Sequence, residues 1–149
     1  MIKSEFKKKL IKTLNFQENP YHPLVWISGK PRIGKKTFIG GFSEINATNS
    51  SVKIGMNCDI AAFVSINVAD SHRRCIGLSK KISRKKIIIE NNVFIGCYSM
   101  IKGGAHIGHH SVIAAGTIVD PVKIPPYSLV SGNPMMIKKG YYKKKKKWY

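Results

Sequence analysis

A branched aliphatic residue recurs at every sixth position in the second half of the chain. The series runs without a slip through Ile89, Ile95, Ile101, Ile107, Ile113 and Val119. An α-helix has 3.6 residues per turn, so residues six apart build no single stripe along it. A single strand of this length lies far outside the usual range. A repeat of six is typical of a parallel β-helix, in which each hexad supplies one short strand and one corner, with the aliphatic side chain pointing inward.

The same repeat occurs earlier in the chain and is interrupted twice. It runs from Ile33 to Ile45, breaks over Asn49–Lys53, and resumes from Ile54 to Ile66. A longer break over residues 68–86 precedes the uninterrupted series. A solenoid accommodates an insertion where the chain leaves a corner, and such loops often carry functional residues. We therefore predict an all-β domain, a parallel β-helix over residues 24–139, with a functional loop at 68–86.

Short segments of different composition flank the predicted solenoid. Residues 1–18 contain apolar residues at helical spacing, and Ser4 can cap a helix there. The apolar residues are Ile2, Phe6, Leu10 and Leu14. This helix is expected to cover the open end of the β-helix, which would otherwise expose unpaired strand edges. Residues 140–149 form a Lys-rich tail, for which weak contact with an anionic membrane surface is the functional alternative to a solvated segment.

The chain is strongly basic. Its 149 residues include 26 Lys and Arg against 7 Asp and Glu, a formal net charge of +19. This excess indicates an anionic partner, unless the lysines are merely solvated. No motif of a nucleic-acid-binding fold accompanies the charge, so no nucleic acid is expected as a partner. Three cysteines without metal-type spacing indicate a reducing compartment, and hence the cytoplasm, with the inner face of the membrane as an alternative location.

The loop at residues 68–86 contains His72 among many cations. Imidazole titrates near neutral pH, which suits it to general-base catalysis. Asp70 lies close enough in sequence to orient the ring or stabilise the imidazolium, a role that a backbone carbonyl could fill instead. The residues alone leave open a second interpretation, in which the loop is solvated and His72 has no chemical role.

Four motifs in the second half carry a resemblance to a known family. They are Val93-Phe94-Ile95-Gly96, Ile113-Ala114-Ala115-Gly116-Thr117, Ile124-Pro125-Pro126-Tyr127-Ser128 and Ser131-Gly132-Asn133-Pro134. In this order and spacing they resemble the hexapeptide-repeat acyltransferases, most nearly the sugar O-acetyltransferases of surface polysaccharide synthesis. The resemblance implies a left-handed β-helix, a homotrimer, and acetyl-CoA as the acetyl donor. It also implies a sugar hydroxyl as the acceptor.

The resemblance further implies roles for individual residues on the acceptor side. The family places its catalytic histidine in a loop between the two halves of the repeat, and His72 matches that position. His72 would then be the general base for direct attack of the hydroxyl on the thioester. Asn46 lies near the place where some relatives have a substrate-binding asparagine.

Other positions match the cofactor-binding residues of the family. Cys97 and Ala115 match wall positions that contact the pantetheine of CoA. Lys138 or Lys139 follows the Gly-Asn-Pro turn, where the family has a basic residue near the CoA phosphates. No metal is expected.

Three other functions remain open at this stage. One is N-acetylation of a nucleotide-linked amino sugar, or acetylation of an antibiotic, on the same fold. Another is a structural solenoid without catalysis. The third is a metal protein like the γ-class carbonic anhydrases, which share the fold and bind zinc through three histidines. The histidines available for that role are His106, His109 and His110.

Overall fold

The computed structural model describes residues 2–143, and over that range it contains two short helices and eighteen strands. Sixteen of the strands form three sheets, named A, B and C here, which are the faces of a triangular prism. Successive strands along the chain pass from A to B to C, and each coil pairs in parallel with the coil below it. The chain is a left-handed parallel β-helix, which confirms the parallel β-helix predicted from the repeat and the handedness implied by the family resemblance.

The strands are numbered in chain order, and each has two or three residues. Sheet A contains β1 (Trp26–Ser28), β4 (Glu44–Asn46), β7 (Ser65–Asn67), β12 (Met100–Lys102) and β15 (Ile118–Val119). Sheet B contains β2 (Arg32–Ile33), β5 (Val52–Ile54), β10 (Ile87–Ile89), β13 (His106–Ile107) and β16 (Lys123–Ile124). Sheet C contains β3 (Phe38–Ile39), β6 (Asp59–Ile60), β11 (Phe94–Ile95), β14 (Val112–Ile113), β17 (Leu129–Ser131) and the antiparallel β18 (Met136–Lys138).

The sixth-position aliphatic residues form the core. In sheet A they pair in one column, which consists of Ile27, Ile45, Ile66, Ile101 and Val119. All five are buried. Because side chains alternate between the two faces of a strand, their neighbours on each strand point to the outside of the prism. The hexad spacing therefore determines which side chains lie on each outer face.

The corners between sheets require close approach of the backbone. A Cβ added at Gly108 would lie 2.5 Å from the backbone nitrogen of Pro126, so the corner admits no side chain there. The corner between sheets C and A, in contrast, carries large aromatic side chains. Phe42, Phe63 and Tyr98 stack there on successive coils with ring centroids 4.9 and 5.0 Å apart, and all three are exposed. We call these three residues the aromatic ladder.

The long interruption of the repeat leaves the prism between sheets A and B. β8 (Ala69–Asp70) pairs antiparallel with β9 (Ser83–Arg84), and α2 (His72–Cys75) lies between them. The Arg84 guanidinium donates a hydrogen bond to the Thr48 carbonyl at 2.9 Å. The loop is thus anchored both to itself and to the neighbouring corner.

The N-terminal helix, α1, comprises Ile2–Thr13. Its apolar stripe is placed differently from the expectation, because Ile11 is buried whereas Phe6 and Leu14 are 64% and 43% exposed. Ser4 lies inside the helix and not before it. Lys7 donates a hydrogen bond to the Tyr21 carbonyl, which holds α1 against the segment that leads into β1. The capping role of residues 1–18 stays a prediction.

The C-terminal segment is described as far as residue 143. Residues 141–143 form a turn, and the Tyr142 N–H donates to the Tyr127 carbonyl at 3.0 Å. The remainder of the predicted basic tail, residues 144–149, lies outside the described residues. Within residues 2–143, no helix is both long enough and apolar enough to cross a membrane.

We expect the inward column to dominate the free energy of unfolding. Ile89→Ala should lower it by about 2–5 kcal/mol, because a buried side chain is lost and a cavity remains. Ile88 is on the same strand but faces outward and is half-buried, so Ile88→Ala is the matched control and should cause a clearly smaller loss. Urea unfolding followed by circular dichroism measures both. Equal losses would contradict the assignment of the inward face.

Candidate active site

His72 and Asp70 are in direct contact at the start of α2. The Asp70 Oδ1 accepts a hydrogen bond from the His72 backbone N–H at 3.0 Å and lies 2.6 Å from His72 Nδ1. A carboxylate that accepts from the backbone two residues ahead is a common local turn, and here it fixes the first residue of the helix. The structure therefore brings together the predicted base and the residue predicted to orient it.

This contact determines the tautomer of His72. An ionised carboxylate can only accept hydrogen bonds, so the hydrogen in the 2.6 Å contact belongs to Nδ1. In the neutral ring Nε2 then has a free lone pair and can accept a proton. Both side chains remain open to solvent, with 66% of His72 and 53% of Asp70 exposed.

The pKa of Asp70 is lowered from its ordinary value. The largest cause is the hydrogen bond from the His72 backbone N–H, followed by the hydrogen bond from its side chain. The carboxylate is therefore ionised at any pH at which neutral imidazole can act as a base. The stabilisation from these hydrogen bonds is present above the ordinary carboxyl pKa and is lost as the pH falls through the lowered one.

A cleft of about 610 Å³ lies between the loop and the outer face of sheet A. His72 and Asp70 line it from the loop side, and Met100 and Lys102 line it from the sheet. Its other lining residues are Asn67, Val68, Ala69, Ser71, Cys75, Ser83, Lys85, Gly103 and Pro121. The cleft has room for part of a small polar substrate next to the imidazole.

Asn67 lines this cleft, whereas Asn46, the predicted substrate-binding residue, lies one coil below it. The Asn46 Nδ2 donates to the Asn67 Oδ1 at 3.3 Å, and the Ala69 N–H donates to the same oxygen at 2.8 Å. Asn46 in turn accepts from the Ser28 hydroxyl at 3.1 Å. Asn46 thus holds Asn67 in place. A signal for Asn67 exists in the sequence, because it follows Ile66 as Asn46 follows Ile45.

One cation of the cleft wall, Lys102, was not among the predicted site residues. Lys102 forms an ion pair with Asp120, with Nζ and Oδ1 2.8 Å apart. Lys85 lines the cleft from the loop. Asp70 is in β8 and Lys102 in β12, far apart along the chain, but the charge of Lys102 helps to lower the Asp70 pKa through space.

The predicted CoA-binding residues lie on two other corners. Cys97 and Ala115 are neighbours on the corner between sheets C and A, where the Gly116 N–H donates to the Cys97 carbonyl at 2.8 Å. His72 lies at the opposite edge of sheet A, so one chain does not bring it to Cys97. Lys138 ends β18, which runs antiparallel, and it pairs with Leu129. Lys138 and Lys139 therefore lie near the corner between sheets B and C.

Two of the three histidines considered as zinc ligands contact the carboxylate of Glu90. His106 Nε2 is 2.7 Å from Glu90 Oε1, and the His109 N–H donates to Glu90 Oε2 at 2.9 Å. Burial raises the pKa of Glu90, but these hydrogen bonds outweigh it and the net pKa is lowered. His109 and His110 contact each other through their Nδ1 atoms at 2.9 Å. Among residues 2–143, no three His, Cys, Asp or Glu residues are arranged to hold a metal ion.

Family models match both halves of the repeat. The model described as "Bacterial transferase hexapeptide (six repeats)" matches residues 86–121, and "Hexapeptide repeat of succinyl-transferase" matches residues 32–67. Over both halves of its solenoid the chain thus resembles the hexapeptide-repeat transferases. The two matches lie on either side of the loop that carries His72.

Individual hexapeptide-repeat transferases resemble this chain at moderate identity. The bifunctional protein GlmU of Clostridium botulinum (strain Kyoto / Type A2) is 29% identical over 131 residues, which cover 83% of this chain and 28% of that protein. The crystal structure of the polySia specific acetyltransferase NeuO has a TM-score of 0.59 at 30% identity, covering 77% of this chain and 60% of that one. The chain thus spans less than two thirds of the length of these two relatives.

A galactoside acetyltransferase in complex with coenzyme A has the same fold. The TM-score is 0.59 at 24% identity, and the match covers 96% of this chain and 83% of that one.

We expect the backbone hydrogen bond to dominate the titration of Asp70. In His72→Ala the residue-72 N–H remains, so the Asp70 pKa should stay below its ordinary value and rise only in part. Ser83→Ala, on the strand opposite Asp70, serves as the control and should leave the Asp70 titration unchanged. NMR of the labelled carboxyl carbon measures both. Full return to the ordinary pKa in His72→Ala would contradict this assignment.

Proposed function

We propose that the protein is an acetyl-CoA-dependent O-acetyltransferase that acts on a sugar hydroxyl of a polysaccharide or its precursor. The observation that carries this proposal is the contact of His72 with Asp70 at a cleft in a hexapeptide-repeat fold. The similarity to an acetyltransferase specific for polysialic acid supports the acceptor class. The 24%-identical galactoside acetyltransferase supports only the fold, although its complex is consistent with CoA as the donor.

His72 performs the proton transfers in this mechanism. A sugar hydroxyl is a poor nucleophile at neutral pH, so His72 Nε2 takes its proton while the oxygen attacks the thioester carbonyl carbon. The tetrahedral intermediate then collapses, the carbon–sulfur bond breaks, and the CoA thiolate leaves. The imidazolium returns the proton to the thiolate. Asp70 holds Nδ1 protonated and stabilises the imidazolium by its charge. No covalent acyl-enzyme forms, so the cysteines have no chemical role.

CoA is proposed to lie along the corner between sheets C and A. Cys97 and Ala115 present backbone on adjacent coils there, and small side chains leave room for the pantetheine arm. Lys138 and Lys139 can reach the CoA phosphates only across sheet C or from a neighbouring copy. We assign them to phosphate binding in one of these two arrangements.

Acetyl-CoA as donor and the free thiol of the exposed Cys75 are both consistent with a cytoplasmic enzyme.

The separation of the two halves of the site supports a homotrimer. His72 and the Cys97 corner lie at opposite edges of sheet A, so a thioester on that corner needs the His72 of a second copy. Closed threefold symmetry repeats this contact three times. The aromatic ladder on the same corner supports the assembly, because it exposes a contiguous apolar surface beside the proposed contact.

Loss of the His72 imidazole is expected to lower turnover on the order of 10²–10⁴-fold, the usual range for a missing general base. His72→Ala should still fold and should still be stabilised against heat by CoA. His109→Ala is the control and should stay within a few-fold of the parent. Thiol release from acetyl-CoA, measured with a panel of acceptors that includes polysialic acid, gives the rates. Full turnover by His72→Ala on a hydroxyl acceptor would exclude the mechanism.

Sharing of the site between copies predicts complementation. His72→Ala and Ala115→Trp should each be inactive alone, the second because indole fills the pantetheine corner. Random mixed trimers should recover roughly a quarter of the parent activity, the share of interfaces with two intact halves. A mixture of His72→Ala with the double variant His72→Ala/Ala115→Trp has no intact interface and serves as the control. Absence of recovery, with mixed trimers verified by native mass spectrometry, would mean that the site lies within one chain.

A further inference from the structure

The outer face of sheet B carries a column of cations. Arg32 pairs directly with Lys53, and at the other end of the sheet His106 pairs with Lys123. Ile88 lies between them in the same register. Arg32, Lys53 and Lys123 are exposed, and Ile88 and His106 are half-buried. We call these five residues the basic column.

Direct pairing of like charges across strands is unfavourable, and the structure offers little to offset it. Glu90, which directly follows β10 of sheet B, already interacts with His106 and His109. Asp70 and Asp120, near the cleft, are in contact with His72 and Lys102. Over residues 2–143 no salt bridge is formed by Arg32, Lys53 or Lys123. An anionic ligand along this face would remove the repulsion.

The basic column is continuous with the loop that holds His72. Lys85 and Lys86 immediately precede β10, the central strand of sheet B. Lys85 also lines the His72 cleft. The other cations of the loop are Arg73, Arg74, Lys80, Lys81 and Arg84. A positively charged path therefore runs from the candidate active site onto the outer face of sheet B.

This face has the shape of a binding surface as well as its charge. A shallow groove of about 530 Å³ lies on sheet B, and Lys53, Ile88 and His106 are among its lining residues. Strands in a sheet are about 4.8 Å apart, so the cations are presented at multiples of that spacing. The half-buried Ile88 supplies an apolar contact between them, which suits the carbon face of a sugar ring.

A second copy of the chain is a poor occupant for this face. Packing the basic column against its own symmetry mates would desolvate like charges and bring them together. The aromatic ladder lies on a different corner and provides an apolar contact without that cost. Sheet B therefore remains open to an acceptor in the proposed trimer.

We propose that the acceptor is a polyanionic glycan, whose chain lies along the basic column and enters the His72 cleft past Lys85. This inference rests on the proposed function and specifies its substrate class. The charged groups of the polymer, carboxylates or phosphates, contact the cations of successive strands. The contacts are at the surface, so added salt weakens them. The affinity depends on polymer length, because a single sugar in the cleft does not reach sheet B.

Binding of labelled polymer tests the basic column without relying on activity. The probe is fluorescein-labelled polysialic acid, and its anisotropy is followed with the parent and with the double variant Arg32→Gln/Lys53→Gln. The matched control is Lys8→Gln/Lys9→Gln, which changes the net charge equally on exposed positions of α1. We expect the column variant to bind about tenfold more weakly, the control to bind like the parent, and the difference to disappear at high salt. Thermal unfolding verifies that both variants are folded.

Kinetics with matched acceptors form the second arm. Polysialic acid is compared with its carboxyl-reduced, neutral form and with monomeric sialic acid. The column variant should raise the KM for the charged polymer about tenfold, with the KM for acetyl-CoA and the turnover on the monomer unchanged. Binding of labelled polysialic acid that depends on the basic column supports the inference even if no acceptor is acetylated. Binding without acetylation would overturn the proposed function and leave the inferred binding surface in place.

Three results would overturn the inference. One is equal binding of the polymer by the column variant and the control. Another is equal KM for the charged and the carboxyl-reduced polymer. The third is a column variant that no longer binds phosphatidylglycerol vesicles but still binds the polymer. That result would assign the basic column to a membrane surface.

Discussion

The stacking of aliphatic side chains in register is the interaction on which the rest of this structure depends. Each coil contributes one or two inward residues per face, and these pack on their counterparts in the coils above and below. Burial of these side chains is the main favourable term in the free energy of folding. Because the strands have only two or three residues, the alternation leaves one or two outward positions per strand. Every functional side chain on the prism therefore occupies a position that the packing determines.

The same packing explains which parts of the site are predictable from sequence. Hexad spacing predicts the fold, and the longest break in it predicts a loop that contains His72 and Asp70, two residues apart and in contact. Residues brought together by stacking are harder to find, because the interruptions make the coils unequal in length. Asn67 pairs with Asn46 across 21 residues and with Lys102 across 35, as their sequence numbers show. A search at a fixed period of 18 misses both pairs.

Two other differences between the sequence predictions and the structure have local causes. The antiparallel return of β18 carries Lys138 to the far edge of sheet C, away from Ala115, and hexad spacing contains no signal for a reversal. In α1 the helical spacing of the predicted apolar stripe is regular, yet Ile11, outside that stripe, is buried whereas Phe6 and Leu14 are exposed. The hydrogen bond from Lys7 to the Tyr21 carbonyl helps to determine which face of the helix approaches the solenoid. Contacts of this kind depend on the rest of the fold and override the local pattern.

The exposure of His72 links assembly to catalysis. With two thirds of its side chain in water, its hydrogen bond to Asp70 competes with solvent, and a surface contact of this kind orients an imidazole only weakly. General-base catalysis is efficient when the base, the hydroxyl and the thioester are held in a fixed geometry with water excluded. The loop and sheet A supply one wall of such a site, and the opposite wall is missing from a single chain. In the proposed trimer the corner of a neighbouring copy supplies that wall together with the thioester. Exclusion of water and delivery of the donor would then be the same event, so a monomer would have the base but little activity.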